Sequence, residues 1–187
     1  DLAESFQSAL KNASPYYGGA STTMAQFAEY WRRTLDQHPP RYPETEFTLR
    51  WSIGKMLTEV GRPEEGVRQI AQAIEVAKKA TVIEPIEIIG ALTSLQEANR
   101  GLRRDDEARE LLREIKRRAE GVVHPRSDLG ITIRLVDATE MLDSNRPADA
   151  RRILDGLLAD VAEFGDSRPF VKMRVWTLDV IFKEEMG

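Results

Sequence analysis

The chain contains no cysteine, which removes disulfides, thiolate nucleophiles and cysteine metal sites together. Histidine is nearly absent as well: His38 and His124 each precede a proline and stand far apart, and no HxxxH or HExxH spacing occurs. Neither a metal nor a cofactor is expected. Long apolar runs are missing, since none approaches the roughly 20 residues that span a bilayer. The N-terminal stretch DLAESFQSAL lacks the basic-then-apolar pattern of a secretory leader. These absences predict a soluble chain without membrane insertion, and the lack of cysteine fits a reducing, cytoplasmic setting. An excess of base is lacking too. With 27 Lys+Arg against 31 Asp+Glu, a net charge of −4 and a pI near 5.4, the chain is a poor candidate for nucleic acid, because phosphate binding needs a basic surface.

Catalytic arrangements are missing in the same way. No serine stands in a GxSxG elbow, and no glycine-rich loop carries the lysine of a phosphate cradle. The stretch YYGGAST, residues 16 to 22, reads as a flexible connector that leads into a helix capped by Thr23 and Gln26. Carboxylates are plentiful but fall on polar helix faces, whereas acid and base catalysis needs opposed groups in a shielded pocket. The chain is not expected to be an enzyme.

What the sequence does contain is a repeat. GRPEEGVRQIAQAI begins at residue 61, RRDDEARELLREI at 103 and NRPADARRILDGLL at 145, so the pattern returns every 42 positions. Gly66, Ala108 and Ala150 occupy one column, and Ile70, Leu112 and Leu154 another; Met24 and Ala28 precede them. Two series of helix-start residues keep the step. One is Pro43, Pro85, Ser127 and Pro169, and the other is Ser21, Pro63, Asp105 and Pro147. Two starts per step predict a helical hairpin, and Gly61 and Asn145 suit the left-handed residue that closes its turn. Apolar residues at helical spacing, such as Val67, Ile70, Ala71, Ile74 and Ala77, give each second helix one buried face. The prediction is an all-α chain of about nine helices. Its hairpins would cover residues 1 to 42, 43 to 84, 85 to 126 and 127 to 168, followed by an unpaired helix from Pro169. One hairpin cannot bury its own apolar face, so the hairpins are expected to stack into a single helical-repeat domain spanning 1 to 187.

The stretch IGKMLTEVGRPEEGVRQIAQAIEVAKKA, Ile53 to Ala80, resembles a tetratricopeptide repeat. Ile53 with Gly54, then Leu57, the turn glycine Gly61, and the small–bulky–small set Gly66, Ile70 and Ala73 carry the resemblance. Other copies depart from it: Gln96 follows Leu95 where a small residue belongs, and Ala138 follows Asp137. A step of 42 against the family's usual 34 or so implies lengthened helices. The resemblance implies a right-handed α-solenoid of antiparallel hairpins that acts as a protein–protein interaction scaffold, with a peptide or protein held in the concave groove of the first helices. The alternative is a regulatory or sensor domain of a signalling or transcription-regulatory protein, responding to a peptide or small ligand. Either would be a segment of a longer protein.

Carried across by column, the groove residues implied by the resemblance are Thr48, Trp51, Lys55 and Thr58. One step on come Gly90, Thr93, Glu97 and Arg100, and then Thr132, Leu135, Thr139 and Leu142. Trp51 is the expected anchor, because aromatics concentrate binding energy, although packing against the next helix is an equal use of that ring. The last helix, RPFVKMRVWTLDVIFKEE, carries two apolar stripes. Val171, Val175, Leu178 and Phe182 form one, and Met173, Trp176 and Val180 form the other. One stripe can pack on the preceding hairpin. The second predicts either a following helix in a longer chain or a homodimer contact, for which Phe170, Met173, Trp176, Val180 and Phe182 are the candidates.

Overall fold

The computed structural model describes residues 23–80, 82–164 and 167–186. Among these residues there are eight α-helices and no strand: α1 (Met24–Gln37), α2 (Pro43–Glu59), α3 (Pro63–Lys79), α4 (Pro85–Gly101), α5 (Asp105–Ala119), α6 (Asp128–Asp143), α7 (Pro147–Ala162) and α8 (Pro169–Met186). The first helix of the 1 to 42 hairpin, Ser21 and the YYGGAST connector lie outside the described residues.

Helices α2 to α8 start where the two columns put them, whereas α1 starts at Met24, past the Ser21 column. Pro43, Pro63, Pro85, Pro147 and Pro169 each open a helix, where the missing N–H has no intrahelical acceptor to lose. Asp105 opens α5, and Ser127 caps α6 by accepting the Gly130 N–H at 3.1 Å. Helix α1 starts in a capping box: the Gln26 N–H donates to Thr23 Oγ1 at 3.2 Å, and the Thr23 N–H donates to Gln26 Oε1 at 2.8 Å.

The three intra-hairpin turns close identically. In each, a residue with positive φ follows the helix, namely Gly61 (82°), Arg103 (59°) and Asn145 (56°). The next N–H then reaches back to a carbonyl in the last turn: Arg62 to Leu57 at 2.8 Å, Arg104 to Asn99 at 3.0 Å, and Arg146 to Met141 at 2.7 Å. The left-handed residue's own N–H bonds Thr58, Arg100 or Leu142. These are Schellman motifs, and they satisfy carbonyls that a helix end leaves open. The column was read as glycine and asparagine; arginine is its middle member.

The single domain expected over the whole chain divides into two compact units, residues 1–111 and 112–187, with the boundary inside α5. In the first, α2 and α3 run antiparallel with their backbones close together at Gly54 and Gly66. Its core includes Phe27, Ala28, Trp31 and Leu35 of α1 against Leu49, Ile53, Met56 and Leu57 of α2. In the second unit Ile131, Leu135 and Ala138 of α6, Leu154, Leu157 and Val161 of α7, and Val175 and Leu178 of α8 form one cluster.

First and second helices differ in how they are buried. Helix α3 hides one face, through residues such as Gln69, Ile70, Ala73, Ile74 and Ala77. Helix α4 hides Ile89, Ala91, Leu92, Thr93, Leu95, Gln96, Ala98 and Asn99, a set that runs most of the way round the helix. A helix covered on several sides keeps only a narrow strip for solvent.

Candidate functional site

That narrow strip corrects the groove. On α2 the exposed and half-buried outward residues are Thr48, Ser52, Lys55 and Glu59, and on α4 they are Gly90, Ser94, Glu97 and Gly101, the same positions one step on. The sequence columns took Trp51 for Ser52 and Thr58 for Glu59. One residue is a 100° rotation about a helix, enough to turn a side chain from the solvent strip to a neighbouring helix. Thr93 is accordingly 3% exposed, with its hydroxyl donating to Ile89 O at 2.8 Å. Leu135 belongs to the core of the second unit. Thr58 donates to Gly54 O at 3.1 Å, and its hydroxyl occupies the space a side chain on Gly66 would need. All three serve packing, contrary to the groove assignment. Thr139 is half-buried and bonds Leu135 O at 2.8 Å, Thr132 accepts from Arg174 at 3.0 Å, and Leu142 packs against the second core.

Trp51 occupies the edge of the strip. Its indole N–H donates to Ser94 Oγ at 3.0 Å, and Ser94 in turn donates to Gly90 O at 3.2 Å. The ring lies over Gly90, where a β-carbon would fall 2.8 Å from Cη2. Phe47 stands 5.7 Å away between centroids, and the Lys55 ammonium lies 6.0 Å from the ring centre. Of the two uses weighed for Trp51, packing is the one these contacts describe: the ring packs α2 on α4 and is half-buried. Thr48, Lys55 and Glu97 are exposed beside it, and Arg100 is half-buried.

Two charge clusters brace the first unit. Arg50, 7% exposed, donates to Glu46 (2.7 Å), Asp36 (3.0 Å), Gln69 (3.0 Å), Gln72 (2.9 Å) and Leu35 O (3.2 Å), so one guanidinium ties α1, α2 and α3 together. Glu29 accepts from Arg32 (2.9 Å), from Arg62 (2.7 Å) and from Arg33. The hydrogen bond from Arg32, with help from Arg62 and Arg33, holds the Glu29 carboxyl far below the usual range. Arg62 also chelates Glu65 at 2.6 and 2.7 Å, and Arg146 reaches Asp149 at 2.9 Å. Arg62, Arg104 and Arg146 form an arginine column, with Glu65, Glu107 and Asp149 three residues on. This signal was legible at the 42-residue step and is absent from the groove assignment.

In the second unit an open hollow of about 650 Å³ lies beside the α5–α6 connection. Val122, Val123, Pro125 and Ile133 give it apolar walls, and Lys116 and Arg134 stand at its edge. Lys116 pairs with Asp137 at 2.8 Å, and Arg134 pairs with Asp160. His124 lines the same space and accepts the Arg126 N–H on Nδ1 at 3.1 Å. Among the described residues no three His, Cys, Asp or Glu side chains stand where they could hold a metal ion.

The final helix divides as its two stripes predict. Val175 (0% exposed) and Leu178 (7%) are buried against α6 and α7, with Val171 packed beside them. Phe170 (77%), Met173 (55%), Trp176 (52%) and Val180 (53%) face outward. Phe182 was assigned to both stripes and belongs to the inner one. It is half-buried against the core, with the Arg151 guanidinium 5.5 Å over its ring. Among the described residues no helix is long and apolar enough to cross a membrane. No family model matches the sequence, and a search of curated proteins found no relative.

Proposed function

We propose that this chain is a protein-interaction scaffold of the tetratricopeptide-like kind, its hairpins stacked as a right-handed α-solenoid and the outward strip of its first helices taking a peptide or protein. The observation that carries the reading is the fixed ring of Trp51, held by Ser94 and Gly90 with Thr48, Lys55 and Glu97 exposed around it. A ring immobilised before binding loses little entropy on contact, and such aromatics dominate interface energies. The exposed Lys55 beside the ring suits a ligand that carries an acidic group. The test is to select binders from a displayed random-peptide library and measure them against Lys55→Glu and Trp51→Phe. Affinity falling roughly tenfold in either variant supports the strip as the site. Selected peptides indifferent to both variants would remove it.

The sensor reading is favoured by one separate observation, the open hollow of about 650 Å³ in the second unit. Its size and apolar walls suit a small ligand. A thermal-shift screen of small amphipathic compounds tests it: stabilisation abolished by Ile133→Trp supports a ligand site, and no stabilisation by any compound counts against one.

A further inference from the structure

The connector from α1 to α2 and the first residue of α2 read HPPRYP, residues 38 to 43. Covalent geometry leaves this stretch little freedom. The rings of Pro39, Pro40 and Pro43 fix φ at about −65°, and His38, Pro39 and Tyr42 each precede a proline, which pushes them toward extended backbone. Tyr42 is found there, at φ −98° and ψ 123°. Arg41 alone is under neither constraint, and the chain bends at Arg41 and Tyr42, just past the proline pair. Pro39, Arg41 and Tyr42 (59%) are exposed and Pro40 is half-buried. Among the described residues no hydrogen bond reaches the carbonyls of Pro39, Pro40 and Arg41, and none reaches the Tyr42 hydroxyl. Nor does the Tyr42 side chain serve the helix it precedes. As N-cap of α2 it makes no hydrogen bond, whereas Glu84, one 42-residue step on, donates its N–H to Glu87 Oε2 at 3.2 Å in a capping box. A short polar side chain would cap α2 better. An exposed aromatic thus stands where the fold draws nothing from it.

We propose that Pro39 to Tyr42 form a docking peptide displayed by the first unit and taken by a partner domain whose groove is lined with aromatic rings, the chemistry that recognises polyproline-type segments. Aromatic faces of such a groove clasp the rings of Pro39 and Pro40, donors on its walls bond the open carbonyls, and a neighbouring pocket takes the Tyr42 ring. A segment already held extended loses little entropy on binding. The chain supplies a peptide here, whereas at the strip beside Trp51 it receives one, so either proposal can fail without the other.

Calorimetric titration of the whole chain into a panel of isolated WW domains, whose grooves are of this aromatic kind, tests the docking peptide. Micromolar binding by at least one domain is expected. Pro40→Ala and Tyr42→Ala should each weaken it about tenfold or more with helicity unchanged, because the Tyr42 side chain makes no bond to α2. Arg41→Ala should matter far less, and a free peptide of sequence HPPRYP should compete for the same domain. Binding that survives both Pro40→Ala and Tyr42→Ala would place the contact elsewhere and overturn the proposal. So would a panel to which the free peptide binds but the folded chain does not, since the loop would then be hidden in the fold, and so would a panel in which no domain binds either.

Discussion

Gly54 and Gly66 face each other so closely that a β-carbon on either would collide with the other's backbone: it would lie 2.9 Å from Gly66 O if built on Gly54, and 2.6 Å from Gly54 O if built on Gly66. The contact is backbone on backbone, so no side chain can swing aside. Gly54→Ala and Gly66→Ala should each lower stability by about 1–3 kcal/mol, although alanine is the better helix former by ~1 kcal/mol. Gly101 ends α4 with nothing within 4 Å of its would-be β-carbon, so Gly101→Ala should be neutral or stabilising. Urea unfolding of the three variants checks the contrast.

Arg103 holds φ at 59°, the conformation that glycine supplies at residue 61. Replacing it with glycine should stabilise the chain by about 0.5–1 kcal/mol, and Gly61→Ala should destabilise it by a similar amount. A shift of the unfolding midpoint in the wrong direction for either would show that the turn is not the source of strain.

Gln96 is completely buried, and neither atom of its amide has a hydrogen-bond partner among the described residues. It also occupies the column where Gly54 and Ala138 are small. Gln96→Met keeps the length and removes the unsatisfied amide, so it should raise stability by about 1–3 kcal/mol. Thermal denaturation of the two forms decides it.

Glu29 has its carboxyl held well below the ordinary range of a glutamate, chiefly by the hydrogen bond from Arg32. The folded form thus binds a proton less readily than the unfolded chain, and the stabilisation is complete at neutral pH. It is lost as the pH falls below about 4.5 toward the folded value. Glu29→Gln should accordingly be less stable than wild type at neutral pH, with the gap closing in acid. Unfolding curves across that range check the sign.

How much of this was legible in the sequence depends on what each residue's job requires of it. Proline at a first turn and Thr23 with Gln26 announce themselves, because few other residues do that work as well. The left-handed position at Arg103 was invisible, since arginine shows no preference for it and only the 42-residue register points there. The strip beside Trp51 was misread for a geometric reason: on a helix covered on several sides, apolar periodicity does not say which of two adjacent residues faces water. Thr93 and Ser94 differ too little in chemistry to reveal that the first is buried and the second supports an indole.

The three matching turns also say how such a chain can change its length. Because Gly61, Arg103 and Asn145 end their helices with the same pair of backbone bonds, a genetic crossover between neighbouring sites would add or delete a block of 42 residues and leave each rejoined helix with the ending it already had. No new loop would have to be invented at the seam. The side chains on either side of it would be the only novelty, and selection would then act on surfaces while the backbone was inherited ready-made.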